Sequence, residues 1–157
     1  MTYATAKVIA IFMLMFSATA TAVAAVSVEN CDWPARADAI VEPWEEFSRT
    51  FSNGKTRLAL LDTIEPAAGA FHILVLSPPY DELGGRQCKT IGIGPGIGFS
   101  GVDFKALKAS YNPAVGLVFS VPVQFYDAAS GYARPARLEF NLNQATGQLD
   151  AWQVGGE

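Results

Sequence analysis

The sequence predicts an all-β domain, an antiparallel meander of about seven to nine strands that forms a small β-sandwich or β-barrel. Two observations lead to this prediction. Segments with apolar residues at every second position recur along the chain, and short turn sequences that end in glycine separate them. A short N-terminal helix can precede the strands.

A five-residue turn sequence, [Asn/Asp/Glu]-x-Ala-x-Gly, occurs at residues 65–69, 112–116, 127–131 and 143–147. The first side chain can cap a turn, and glycine readily takes the left-handed conformation that leads into the next strand. We therefore expect each copy to close a hairpin. Asn53-Gly54 predicts a tighter hairpin of the two-residue type.

Residues 117–125 show the strand alternation most clearly, because every odd position is apolar while Ser120, Pro122 and Gln124 face the other way. Residues 137–142 repeat this pattern. Proline has no N–H to donate to a neighbouring strand, so Pro122 predicts that its strand lies at an edge or carries a bulge there.

Two upstream segments, residues 56–62 and 70–76, are apolar on both faces. This composition is typical of strands that are covered on both sides. Residues 86–93 predict a further strand.

Two other segments allow more than one structure. The apolar spacing in residues 104–111 fits a helix or a strand, and the turn that follows favours a strand. Residues 35–47 can hold a short helix interrupted by Pro43, with the first strand beginning at about Arg49.

The first 25 residues have the three-part pattern of a cleaved secretory signal, with Lys7, an apolar run over residues 8–16, and a finish of small residues. We expect cleavage after Ala24 or Ala25, which leaves residues 26–157 as a single β domain, periplasmic or secreted, with no stable membrane insertion. An uncleaved anchor helix is the alternative, but polar residues end the apolar run too early for a full membrane span.

Cys31 and Cys88 are the two cysteines of the chain. An even number of cysteines in an oxidising compartment predicts a structural disulfide bond. A redox or metal pair is the alternative, but the chain has no C-x-x-C sequence and a single histidine, His72, so we expect no metal site.

The charge and the aromatic residues limit the functional classes. Without Lys7 the chain has ten basic and fifteen acidic residues, a formal charge of −5. Nucleic-acid binding needs clustered Lys and Arg residues, and no such partner is expected. We expect Trp33, Trp44 and Trp152 to fill the core.

Residues 92–101, GIGPGIGFSG, contain five glycines and the spacing G-x-G-x-x-G at Gly96, Gly98 and Gly101. A dinucleotide site with this spacing needs a following helix and an acidic residue about 20 positions later. Position 116 is a glycine, and the neighbouring segments predict hairpins. We expect no cofactor and interpret this glycine loop (residues 92–101) as a hinge or a bulged crossing.

The sequence SPPYDELGG predicts a recognition loop, because two prolines stiffen it and Tyr80 offers an amphipathic contact. Tyr80, Asp81 and Glu82, together with Gly96 and Gly98 of the glycine loop, form the predicted binding surface. The function expected is a binding or accessory role toward a protein or small-molecule ligand. A plain hairpin crossing is the alternative interpretation of the proline-containing loop.

Two alternative functions stay open. The first is a small hydrolase that uses His72 with distant carboxylates, although Ser100 does not complete a G-x-S-x-G sequence and no catalytic residue is assigned. The second is a structural factor of the cell envelope with no discrete site.

Overall fold

The computed structural model describes residues 26–155, so the predicted signal of residues 1–25 lies outside the described residues. Within this range no helix is long and apolar enough to cross a membrane. The strands are β1 (Ser27–Asn30), β2 (Ser48–Phe51), β3 (Thr56–Asp62), β4 (Phe71–Tyr80), β5 (Arg86–Gly92), β6 (Gly101–Val102), β7 (Lys108–Asn112), β8 (Gly116–Asp127), β9 (Tyr132–Leu142) and β10 (Leu149–Val154). The helical elements are α1 (Trp44–Phe47) and 3-10 turns at Ala37–Ala39, Ala67–Gly69 and Phe104–Ala106.

The strands form two antiparallel sheets that face each other. Sheet 1 has the order β1-β5-β4-β3-β2, and sheet 2 has the order β10-β9-β8, with β6 and β7 both pairing along the free edge of β8. The predicted all-β, meandering fold is thus confirmed, as a sandwich-like pair of sheets. The ten strands exceed the expected seven to nine because β1 and β6 have only four and two residues, too few to show an alternation.

The main core lies between the two sheets. Phe119 of sheet 2 packs its ring 5.0 Å from the ring of Phe51 in sheet 1 and 4.8 Å from that of Phe140, measured between centroids. The alternating apolar residues of β8 and β9 all face this core, as predicted. The other inward-facing buried residues of the strands are Leu58, Leu60, Ile73, Val75, Ile91, Leu117, Val121, Val123, Phe125, Leu138 and Leu142.

The outer face of sheet 1 is also covered, as the two-sided apolar pattern of β3 and β4 predicted. Residues 31–40, the crossing segment, run over this face from β5 to β3 and bury a second apolar cluster that includes Leu61 and Leu74. The predicted disulfide between Cys31 and Cys88 fixes the start of the segment, with the two Cα atoms 5.3 Å apart.

All four copies of the turn sequence connect adjacent strands, as predicted. In each copy the side chain of the first residue accepts a hydrogen bond from the N–H of the alanine two residues later, at 2.9–3.3 Å. Gly116, Gly131 and Gly147 have the expected positive φ. Gly69 does not, because it belongs to a 3-10 turn; a Cβ atom there would lie 2.9 Å from Ile97 Cγ2.

The prediction of one strand over residues 104–111 was wrong for its first half. Phe104–Ala106 forms a 3-10 turn, and the Asp103 side chain accepts a hydrogen bond from the N–H of Ala106. The strand begins only at Lys108. The expected start of the first strand near Arg49 was also wrong, since β1 lies upstream.

Pro122 lies neither in an edge strand nor at a bulge, because β8 pairs with β9 on one side and with β6 and β7 on the other. The Pro122 carbonyl accepts a hydrogen bond from the N–H of Asp103 at 3.0 Å, in the gap between β6 and β7. The nitrogen and the carbonyl of a residue in an antiparallel strand point to the same neighbour. The Pro122 nitrogen therefore faces the gap between β6 and β7, so its lack of an N–H interrupts no hydrogen bond between paired strands.

Candidate functional site

The predicted binding residues lie at two opposite ends of sheet 1. Tyr80 ends β4, whereas Gly96 and Gly98 follow the far end of β5, where Gly98 lies beside Phe71, the first residue of β4. The ten residues of β4 span about 30 Å. Each end carries a groove, and one predicted residue lines each groove.

The Tyr80 groove has a volume of about 430 Å³ and lies between three hairpin ends. The Tyr80 side chain is 48 % exposed at its wall. Lys55 and Asn53 stand opposite on the turn between β2 and β3. The full lining is Ser52, Asn53, Lys55, Pro78, Tyr80, Gln144 and Ala145.

Side-chain amides hold the walls of the Tyr80 groove together. Gln144 accepts a hydrogen bond from Ser52 Oγ at 2.9 Å and donates one to Thr56 Oγ1 at 2.8 Å. Gln87 donates to the Gly147 carbonyl at 2.9 Å. The turn between β9 and β10 in sheet 2 is thereby bonded to β3, β5 and the turn between β2 and β3 in sheet 1, so the groove is formed before any ligand arrives.

Asp81 and Glu82 lie in the turn that follows Tyr80 and do not line the groove. One carboxylate oxygen of Asp81 accepts hydrogen bonds from the N–H groups of Leu83 and Gly85, at 2.9 and 2.6 Å. Asp81 therefore closes its own turn. Glu82 is exposed, and a binding role for these two residues stays a prediction.

The Trp33 groove, of about 210 Å³, lies at the opposite end between β1, the crossing segment and the glycine loop. The Trp33 side chain lies against Gly96, where a Cβ atom would be 3.0 Å from the indole Nε1. The full lining is Glu29, Asn30, Asp32, Trp33, Pro34, Thr90, Pro95 and Gly96.

The glycine loop packs tightly on the start of β4. The N–H of Gly98 donates to the Gly69 carbonyl at 2.7 Å, and the N–H of Phe99 donates to the Phe71 carbonyl at 2.7 Å. A Cβ atom at position 92 would lie 2.5 Å from the Ile97 carbonyl oxygen, and one at position 98 would overlap the Phe71 carbonyl oxygen. Close backbone approach thus requires glycine at positions 92 and 98. Gly101 is the first residue of the strand β6, whereas a dinucleotide site would have a helix begin here.

His72 is only 2 % exposed and lies on the outer face of β4, beneath the glycine loop. Its Nδ1 is bonded to the Ala70 carbonyl at 3.2 Å, which places the proton of the neutral ring on Nδ1 and leaves the buried Nε2 without a partner. Burial lowers the pKa of His72, and the hydrogen bond to Ala70 opposes this effect in part. The imidazole is therefore neutral and closed to solvent.

A hydrolase centred on His72 needs a base that reaches its substrate and an orienting partner. Ser100 Oγ, like His72 Nε2, is buried without a hydrogen-bond partner, so the two side chains are not bonded to each other. Among the described residues no carboxylate bonds to the imidazole. The hydrolase alternative gains no support from this geometry.

Both grooves are lined in part by residues that the sequence did not identify. The expectation that the tryptophans fill the core was wrong, since Trp33, Trp44 and Trp152 are each at least 40 % exposed. Asn53 and Gln144 lie on separate turns that meet only in the folded chain.

Within residues 26–155 no group of three or more His, Cys, Asp or Glu side chains is arranged to hold a metal ion.

No protein-family model, no curated protein and no solved structure matches this chain. Its function is therefore argued from its own geometry.

Proposed function

We propose that this protein is an exported β domain, periplasmic or secreted, that binds a protein or small-molecule ligand in the Tyr80 groove. The observation that carries the proposal is an exposed tyrosine ring at the wall of a groove whose sides are joined by side-chain hydrogen bonds between the two sheets.

The chemistry of the groove suits recognition. Tyr80 offers an apolar ring with a hydroxyl group, Asn53 an amide, and Lys55 a positive charge. Ligand pockets commonly combine an apolar or aromatic surface with a few fixed polar groups in volumes from about 300 Å³ upward. Because the walls are fixed by hydrogen bonds, little conformational freedom is lost on binding.

Two features support export. Residues 1–25 have the pattern of a secretory signal, and Cys31 and Cys88 form a disulfide bond, which persists in oxidising compartments. Mass spectrometry of the protein isolated from its own cells is expected to show a chain that begins at Ala25 or Val26 and has no free thiol. A chain that retains Met1 in the cytoplasm would contradict export.

The ligand site is tested by affinity capture with three forms of the immobilised, oxidised protein of residues 26–157: the native sequence, Tyr80→Ala and Tyr111→Ala. Tyr111 is an exposed tyrosine on β7 outside the groove, so it is a matched control. Mass spectrometry identifies the proteins and small molecules captured from the exported fraction of the same cells. We expect at least one ligand to be lost with Tyr80→Ala and kept with Tyr111→Ala.

Circular dichroism and the thermal midpoint must first show that all three forms are folded. If the native form and Tyr80→Ala capture the same material in the same amounts, the groove is not the binding site. Tyr80→Phe then separates the contribution of the ring from that of the hydroxyl group.

A further inference from the structure

The Trp33 groove is bordered by two carboxylates whose charges are not compensated. Glu29 of β1 and Asp32 of the crossing segment line the groove, and neither takes part in an ion pair or a side-chain hydrogen bond within residues 26–155. The ammonium group of Lys89 lies at the rim of the groove, where it donates to Asn30 Oδ1 at 2.6 Å and forms no ion pair with either carboxylate. Two acidic side chains therefore line the groove, with one ammonium group at its rim.

An aromatic surface adjoins these carboxylates. The Trp33 side chain is 45 % exposed and stands on Gly96 of the glycine loop. Indole is the side chain that attracts a cation most strongly through its ring face. Gly96 has a φ of 67°, and a side chain at this position would place its Cβ atom 3.0 Å from the indole Nε1. Glycine therefore allows the loop to pack against Trp33 at the groove.

A third, independent feature is a polar side chain at the buried side of the groove. Thr90 lies directly opposite Glu29 in the pairing of β1 with β5 and is only 4 % exposed, yet it lines the groove. No side-chain hydrogen bond of Thr90 is found within residues 26–155, and its hydroxyl oxygen is not one of the fully buried atoms that lack a partner. A hydroxyl group that lines a groove can accept or donate a hydrogen bond to a bound molecule.

We propose that the Trp33 groove binds a small organic cation through its ammonium group. The indole ring and the two carboxylates attract the charge, and the Thr90 hydroxyl group meets a polar substituent. Among residues 26–155 the groove lining contains two carboxylates and no Lys or Arg, so cations are favoured over anions. The volume of about 210 Å³ holds a head group rather than a polymer. This site is separate from the Tyr80 groove and goes beyond the function proposed for it.

Isothermal titration calorimetry on the oxidised protein of residues 26–157 tests the proposal with choline, tetramethylammonium and putrescine. The matched neutral probe is 3,3-dimethylbutan-1-ol, which has the shape of choline without its charge. At least one of the three cations is expected to bind saturably with one site, and added sodium chloride is expected to weaken the binding. The uncharged probe is expected to bind at least about tenfold more weakly than choline.

Substitutions locate the site. We expect Trp33→Ala to weaken cation binding roughly tenfold and Asp32→Asn or Glu29→Gln to weaken it about threefold each. Trp44→Ala is the matched control, because Trp44 is an equally exposed tryptophan beside Glu42 and Glu45 on an open surface. Tyr80→Ala is a second control. Both are expected to leave cation binding unchanged.

Three results would each overturn the proposal: no saturable binding of any of the three cations at millimolar concentrations, equal binding of choline and its neutral counterpart, or unchanged binding in both Trp33→Ala and Asp32→Asn. Asp32 is exposed, and its hydrogen bond to the N–H of Ala35 is made by its backbone carbonyl, which Asn retains. Asp32→Asn therefore remains informative even if Trp33→Ala proves unstable. The capture experiment uses Tyr80→Ala only once it has been shown to be folded, so failure of the Tyr80 groove is distinguishable from failure of the Trp33 groove.

Discussion

Gly98 lies so close to Phe71 that a Cβ atom at position 98 would overlap the Phe71 carbonyl oxygen and would lie 2.8 Å from His72 Nδ1. The Phe71 carbonyl also accepts the hydrogen bond from the N–H of Phe99, at 2.7 Å. The glycine loop and the start of β4 are thus joined through a contact that only glycine permits.

Gly98→Ala is expected to lower the free energy of unfolding by about 1–3 kcal/mol or more, because backbone atoms on both sides must move apart. Gly94→Ala is the matched control within the same loop: a Cβ atom there meets nothing within 4 Å, so the change is expected to stay within about 0.5 kcal/mol. Urea unfolding followed by tryptophan fluorescence measures both variants. Equal stability of the two would show that the loop moves away from β4 at little cost.

Removal of the disulfide bond with Cys31→Ser and Cys88→Ser together is expected to destabilise the domain. The two cysteines are 57 positions apart, and a loop of that length corresponds to about 4 kcal/mol in the chain-entropy description. Hydrogen exchange is expected to accelerate first over the crossing segment. A double variant with the urea midpoint of the oxidised protein would contradict this role, and reduction of the native protein should reproduce the effect.

The stability of the protein is expected to decrease as the pH falls below about 6.5. Burial lowers the pKa of His72 in the folded state below its ordinary value of 6.5, so between that value and the folded pKa the unfolded chain binds a proton that the folded chain does not. The contribution is complete above pH 6.5 and is lost progressively below it. Urea midpoints at pH 7.5, 6.5 and 5.5 are expected to fall more steeply in the native protein than in His72→Asn.

The single histidine of the chain permits a direct check by NMR, since one imidazole resonance reports its titration. A His72 resonance that titrates at or above pH 6.5 in the folded protein would contradict the assignment.

Ile64→Asn is expected to stabilise the domain by about 1 kcal/mol. Ile64 has a φ of 68° and is 74 % exposed, so a β-branched side chain is held in the left-handed region without burial to compensate. Its N–H donates to Asp62 Oδ1 at 2.8 Å, and Asn retains that bond. Ile97→Asn, at an exposed isoleucine without a positive φ, is the control and is expected to give no gain in the thermal midpoint.

The hairpins could be predicted from the sequence because their determinants are local. The side chain of Asn143 bonds the N–H of Ala145 two residues later, and the alternation in β8 reports which face is buried. The structure of residues 104–111 was harder to predict. Asp103, directly after β6, caps a 3-10 turn, and the strand β7 begins only at Lys108. The place of Pro122 in an interior strand could not be predicted, because it depends on the gap between β6 and β7 along the edge of β8.

Neither groove could be predicted as a whole, because each one joins parts that are distant in the chain. The indole of Trp33 meets Gly96 only after the crossing segment has passed over sheet 1. Tyr80 and Gln144 come together only where the turns of the two sheets meet. The sequence indicated Tyr80 and Gly96 through unusual local composition, and it carried no signal for the residues that face them.

The crossing segment makes the two sheets unequal in their tolerance of substitution. Sheet 1 is covered on both faces, whereas the outer face of sheet 2 carries Ser120, Gln124 and Glu139 in partly or fully exposed positions. A complete mutational scan is therefore expected to show intolerance of polar residues at the consecutive positions 58–61 of β3 and 73–75 of β4, but only at every second position over residues 117–125 of β8 and 138–142 of β9. Related sequences are therefore expected to differ most at the outward-facing positions of sheet 2.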